Sequence, residues 1–149
     1  MSSFKDQILE DIKRLKSDYR IVMQLYYFEE QLKSLGTAAR EVAAITEFNA
    51  KDTADALATL ARAGVQSNNA IALLPGVADL ATAACVSLND AVGMAVGGLN
   101  IMGLMTDDPV KLGDNMKYMA DVMAYTADSA NMSLVDVSEA INQGGNFFK

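Results

Sequence analysis

The 149-residue sequence contains no histidine, no tryptophan, one cysteine and two prolines. Without histidine there is no ordinary proton shuttle, and the commonest zinc ligand is missing. A single cysteine excludes an internal disulfide and any thiolate cluster. Cys85, in "TAACVS", reads as a small buried apolar residue rather than a nucleophile. Aromatic residues make up only 7% of the chain, and β-branched runs of strand character are nearly absent, which speaks against a sheet. The opening "MSSFKDQILEDIKRLKSD" is charged throughout and has no apolar signal core, so a cytosolic origin is expected.

The residues that are present are small and apolar. Hydrophobic residues make up 51% of the chain, with alanine and nine methionines prominent. This composition favours close-packed helices. The net charge is −7 and lies unevenly: Met1–Phe48 carries 7 basic and 8 acidic residues, and Asn49–Lys149 carries 5 and 11. An acidic surface without a basic stripe repels phosphates, so direct nucleic-acid binding is not expected.

Two regimes divide the chain. In the first, Ile8, Ile12, Leu15, Tyr19, Val22 and Tyr26 follow each other in steps of 4, 3, 4, 3 and 4, a heptad seam. A second seam in shifted phase runs Leu25, Phe28, Leu32, Leu35. The spacing predicts one long helix from about Phe4 to Ser34, ended by Gly36. Such a helix either packs on its own domain or pairs with copies of itself, and the seam alone leaves both open.

In the second regime, helix-start signals recur at Asn49, Ser67, Ser87 and Ser133, with a further start at Thr106–Asp107 before Pro109. Asp52, Asp90 and Asp136 stand three residues after three of these caps, where a carboxylate can reach back to the cap amide. The starts are 18, 20, 20 and 26 residues apart. The expected fold is therefore all-α: one long N-terminal helix, then an array of about five short packed helices joined by turns such as "AGVQS" and "AACVS". The expected organisation is a heptad-like helix over 1–36, a helical domain over 37–143 and a tail over 144–149. Phe147 and Phe148 in "NQGGNFFK" either dock back on the core or mark a cut from a longer chain.

The stretch "SLNDAVGMAVGGLNIMGL" allows three readings. It lacks the Lys-Ser/Thr ending of a phosphate loop and follows no strand. Its uncharged run, Ala91–Thr106, is 16 residues, shorter than the roughly 20 a membrane span needs, and no basic residue flanks it. A capped, buried helix explains more: Ser87 caps it, and Gly93, Gly97 and Gly98 let neighbouring helices approach closely. On this reading Gly97→Leu overpacks the fold. Membrane contact is at most conditional. Asp107, Asp108 and Asp114 do not have the spacing of a calcium loop and read as a cap and a solvated turn. No metal, cofactor or catalytic set emerges. The methionines Met94, Met102, Met105, Met116, Met119, Met123 and Met132 fill an irregular core or line a groove. Met116, Met119 and Met123 share one helix face and are the candidate interaction surface.

The stretches "FNAKDTADALATLARAGVQSNNAIALLPGVADLATAACVSLNDAVGMAVGGLNIMGL" and "DNMKYMADVMAYTADSANMSLVDVSEAI" resemble the N-terminal region of tail tape measure proteins of long-tailed bacteriophages. The matching elements are the helix leading to "LARAGV", the "ALLPGVADLA" turn, the small-residue helix ending "NIMGL", and "YMADVMAYTADSANMSLVDVSEAI". The resemblance implies a non-enzymatic virion protein that sets tail length, organises tube assembly and aids DNA ejection. It also implies tail tube or chaperone proteins as partners, and assembly in the host cytoplasm before residence in the virion tail. Self-association through the first helix suits it. The chain departs from the family in length. Wholly helical, it spans roughly 220 Å at about 1.5 Å per residue, short for a ruler. A fragment, or a short prophage-derived relative, is therefore expected. The competing classes are a membrane-active pore former and a stand-alone adaptor imitating a tape measure.

Overall fold

Side chains at helix entrances set the architecture. In this computed structural model, which describes residues 3–147, Asn49 Oδ1 accepts the Asp52 N–H at 2.8 Å while Asp52 Oδ2 accepts the Asn49 N–H at 3.4 Å. This reciprocal box satisfies two amides that the first helical turn leaves without partners. Ser133 and Asp136 repeat it, with the Asp136 N–H donating to Ser133 Oγ at 3.1 Å and the Ser133 N–H to Asp136 Oδ2 at 3.3 Å. Ser3 and Asp6 form a third, unanticipated box. Ser87 Oγ accepts from Asp90 at 3.1 Å, and Asp108 Oδ1 from Val110 at 3.0 Å.

Among the described residues six helices result: α1 (Phe4–Ile45), α2 (Ala50–Arg62), α3 (Ser67–Ala84), α4 (Leu88–Ile101), α5 (Pro109–Ala130) and α6 (Leu134–Phe147). The protein is all-α, with a long first helix and no strand among the described residues. Several expected boundaries are corrected. Ser67 is not a cap: it is the first residue of α3, and Gln66 takes the cap position without a side-chain bond. α5 starts from Asp108, one residue beyond the expected Thr106–Asp107. Gly36 does not end α1, which runs nine residues further to Ile45. Gly144 and Gly145 lie inside α6, so 144–147 continues that helix rather than forming a separate tail. The expected turn at "ALLPGVADLA" is the middle of α3. Pro75 sits on its exposed face, so the missing N–H creates no defect in the core. Phe148 and the side chain of Phe147 lie outside the described residues.

The exits of α2, α3, α4 and α5 share one construction. Gly64, Cys85, Gly103 and Asn131 adopt positive φ (88°, 55°, 69° and 53°). In each case the next residue's N–H reaches back five positions: Val65 to Leu60, Val86 to Ala81, Leu104 to Leu99 and Met132 to Ala127, at 2.8–3.1 Å. These are Schellman closures, and Val65, Val86 and Leu104 also pack on the core. Cys85 is therefore exposed at a left-handed helix exit, not buried as its neighbours suggested. A β-carbon there costs about 1–2 kcal/mol in strain. Cys85→Gly is expected to stabilise the protein by about 0.5–1 kcal/mol after the added freedom of the unfolded chain is subtracted. A higher urea midpoint at unchanged slope checks this.

The chain divides into two units, Met1–Ser34 and Leu35–Lys149. The first is helical over its described residues. In the second, α3 is the central element and packs against α2, α4, α5 and α6. Leu73, Leu74, Val77 and Ala78 are wholly buried on it, as are Leu60 on α2, Leu99 on α4 and Leu112 on α5. Each buried leucine contributes about 1.5–3 kcal/mol. The C-terminal part of α1 belongs to this core through Ala39 and Val42. There, buried Thr53 donates its hydroxyl to the Ala39 carbonyl at 2.9 Å.

Candidate interaction surfaces

The first candidate surface is the heptad seam of the first unit. Its residues form a stripe along α1, and all of them are exposed, from 42% at Ile8 to 67% at Leu15 and Tyr19. Leu25, Phe28 and Leu32 of the second seam are exposed as well. Leu35 departs from them: it packs, partly buried, on the core of the second unit. Continuing the first seam past Tyr26 would place Glu29 in it, and the apolar series therefore changes phase at that point. The flanking charges pair along the helix: Lys13 with Glu10 at 3.7 Å, Arg14 with Asp11 at 3.4 Å and Lys33 with Glu30 at 3.6 Å. Such exposed pairs stabilise little. Six basic and six acidic residues make this unit neutral, so charge does not oppose its association. An apolar stripe of this extent makes the seam a candidate interaction site.

The second candidate is corrected. Met116, Met119 and Met123 share one face of α5, but that face points inward, and the three residues are 1%, 0% and 0% exposed. An added Cβ on Gly76 of α3 would meet Met116 Cγ at 2.6 Å, and one on Gly98 of α4 would meet Met119 Sδ at 2.5 Å. Met116 and Met119 are thus knobs seated over glycines, which explains their burial. The outer face of α5 instead shows Tyr118 and Tyr125, 58% and 75% exposed and two helical turns apart. Their seven-residue spacing is the sequence signal that places them on one face of α5.

The three glycines of α4 behave differently. Gly98 is a close approach. At Gly97, an added Cβ would lie 3.0 Å from Asn142 Oδ1 of α6. Gly93 is exposed with nothing within 4 Å, so it is not a packing glycine.

Met102 and Met132, with Val122, Thr126, Val137, Ala140 and Ile141, line an open apolar groove of about 350 Å³ where the end of α4 meets α5 and α6. No group of three metal-ligating residues occurs among the described residues. No single described helix is long and apolar enough to cross a membrane. The pair α3 and α4, bent by 111°, meets the requirement only in combination.

Comparison with known proteins gives these surfaces a context. Residues 36–149 match the family model described as phage-related minor tail protein. The tape measure protein of Pneumococcus phage Dp-1 is 30% identical over 112 residues, 75% of this chain. The chain spans only 9% of that relative's length. No solved structure matches it. The family match takes in all of the second unit but its first residue, Leu35, and the chain belongs to the phage-related minor tail proteins and is tape-measure-related.

Proposed function

We propose that this chain is a non-catalytic structural component of a phage tail that organises tube assembly by helix-mediated contacts. It resides in the virion tail after assembly in the host cytoplasm. The observation that carries the reading is the family match over residues 36–149, joined in the same chain to an unpartnered heptad stripe. The five helices from α2 to α6 turn back at each Schellman exit, so the second unit offers surfaces rather than length. Length setting and help in DNA ejection belong, on this reading, to the extended helical chain of tape-measure relatives, with the present region supplying contacts. Tail tube or tail chaperone proteins are its partners. Co-expressed with the tube protein of its own phage, the chain is expected inside assembled tubes. Tubes that form equally well without it and exclude it overturn the reading.

The exposed seam supports self-association through α1 as the mode of contact. Ile12, Leu15, Tyr19 and Val22 occupy successive core positions of a parallel coiled coil, and Asp11 and Lys16 then fall at facing flanks of opposite charge. Light scattering on the full chain is expected to give a multimer, and the double variant Leu15→Asp, Val22→Asp a monomer of 15.9 kDa. Equal masses remove α1 as the contact. Membrane entry is the weaker reading, because α3 and α4 would have to surrender Leu73, Leu74, Val77 and Leu99, all wholly buried.

A further inference from the structure

The groove where the end of α4 meets α5 and α6 opens to solvent although its walls are almost wholly apolar. Thr126 supplies the only hydroxyl among its lining residues, and that group already donates to the Val122 carbonyl at 2.8 Å. Small-molecule pockets carry a few placed polar groups that fix orientation. This groove offers no free polar side chain, so it suits apolar side chains rather than a metabolite. Met102 and Met132 on its walls are unbranched and adjust to the shapes they meet.

The chain around the groove carries charge of one sign. From Tyr118 to Phe148, the stretch that holds more than half of α5 and all of α6, the sequence has Asp121, Asp128, Asp136 and Glu139 and no lysine or arginine. Asp136 is engaged by the Ser133 cap. Asp121 and Asp128 form no ion pair among the described residues. Asp128 also stands in the last turn of α5, where no basic residue offsets it and the helix end disfavours negative charge. Tyr118 and Tyr125 stand four residues before and three after Val122 of the groove, and Asp121 and Asp128 each follow a tyrosine by three. Both tyrosines and both aspartates are exposed. Across α5 the surface therefore passes from apolar wall to phenol to carboxylate. The second unit as a whole carries 6 basic and 13 acidic residues, so a basic partner is drawn to it before contact.

We infer that the groove seats an amphipathic helix of a partner protein, with apolar residues between α5 and α6 and a flank of arginines or lysines over Tyr118, Asp121, Tyr125 and Asp128. A helix fits better than an extended segment, because the groove lies between helices and the described residues contain no strand edge to extend. Cations over the exposed tyrosines gain further attraction from the ring faces. The α1 stripe of a second copy suits the groove less well, because its unit carries six basic and six acidic residues and the acidic border does not draw it. The inference goes beyond the tail-assembly reading and does not depend on α1 pairing.

The test titrates the full chain, with 13C-labelled methionine methyl groups, with a synthetic helical peptide that carries leucines three and four residues apart on one face and arginines on its flanks. A second peptide has glutamates in place of the arginines. A third has the composition of the first with its leucines scattered around the helix. Saturable shifts are expected at the Met102 and Met132 methyl groups. The arginine peptide is expected to bind at least tenfold more tightly than either control, and less tightly as salt is added. Thr126→Lys, at an exposed position, is expected to weaken it tenfold or more by placing a cation in the groove. Asp121→Asn is expected to weaken it severalfold, and carries the test if Thr126→Lys does not fold. Asp55→Asn, on α2, which packs on neither α5 nor α6, is expected to leave binding within twofold. Equal binding of the glutamate or the scattered peptide overturns the inference. So do Met102 and Met132 methyl groups that stay unshifted, or a loss in Asp55→Asn as large as that in Asp121→Asn. Self-association of the full chain that Thr126→Lys abolishes would give the groove to a second copy and overturn it as well.

Discussion

Met119→Ala is expected to cost the fold about 2–5 kcal/mol, toward the upper part of that range. Removing a buried side chain forfeits its transfer energy and leaves a cavity whose cost depends on how well the surroundings collapse. Around Met119 they collapse poorly. The side chain is 0% exposed and sits over Gly98, which has no side chain to move into the space. Met116 over Gly76 is built the same way, and Met116→Ala is expected to behave alike. The control is Tyr125→Ala on the outer face of the same helix, 75% exposed, which is expected to stay within about 0.5 kcal/mol of the parent. Urea unfolding followed by helical circular dichroism measures all three. A Met119→Ala protein as stable as the Tyr125→Ala control would return the methionine stripe to the surface role its spacing first suggested.

That stripe shows where sequence pattern stops informing. Spacings of three and four assign Met116, Met119 and Met123 to one face of a helix, but they do not say what lies opposite. The counterparts, Gly76 and Gly98, stand 40 and 21 residues away on other helices, and no local rule connects them. Local chemistry was far more legible. Asn49, Ser87 and Ser133 act as caps because an oxygen three residues from an unpartnered amide is a matter of adjacent residues. Ser67 shows the same logic from the other side. Of the four expected caps it alone lacks an acidic residue three positions later, having Ala70 there, and it is the one that does not cap. The heptad stripe was likewise readable, since its residues lie within one helix, but its exposure was not, since the seam alone leaves open what it packs against.

Glycine misled where it was read alone. Gly36, expected to end α1, and Gly144 and Gly145, expected in a separate tail, are all helical, a cost of about 1 kcal/mol each that the surrounding helix absorbs. Gly64 and Gly103 do end helices. At these exits the following residue closes the turn. Val65 and Leu104 fold back, bond to the preceding turn and pack on the core, whereas Thr37 and Asn146 follow glycines that continue. Cys85 and Asn131 end helices without being glycine because Val86 and Met132 close the turn behind them. Burial of Val65, Val86 and Leu104 helps to hold three of the four left-handed turns, but an apolar successor does not by itself stop a helix, since Gly76 and Gly98 precede buried Val77 and Leu99 and stay helical.

The same distinction predicts opposite signs for two substitutions in α4. Gly98→Leu is expected to destabilise the protein by about 1–3 kcal/mol, because even its Cβ falls within 2.5 Å of Met119 Sδ in a fully buried site. The better helix propensity of leucine offsets less than about 1 kcal/mol of that. Gly93→Ala, five residues earlier, is expected to stabilise the protein by about 1 kcal/mol, since the position is helical, exposed and free of any atom within 4 Å. Gly97→Leu falls between them, since Asn142 Oδ1 at 3.0 Å belongs to a side chain that can turn aside toward solvent. In a thermal melt, 1 kcal/mol corresponds to a shift of about 2–8 °C at this chain size, so the two outer variants should separate by several degrees on either side of the parent. Movement in the same direction would mean that α4 does not present Gly98 to α5 and Gly93 to solvent. The seating of the methionine knobs, and with it the reason α5 turns its tyrosines outward, would then have to be redrawn.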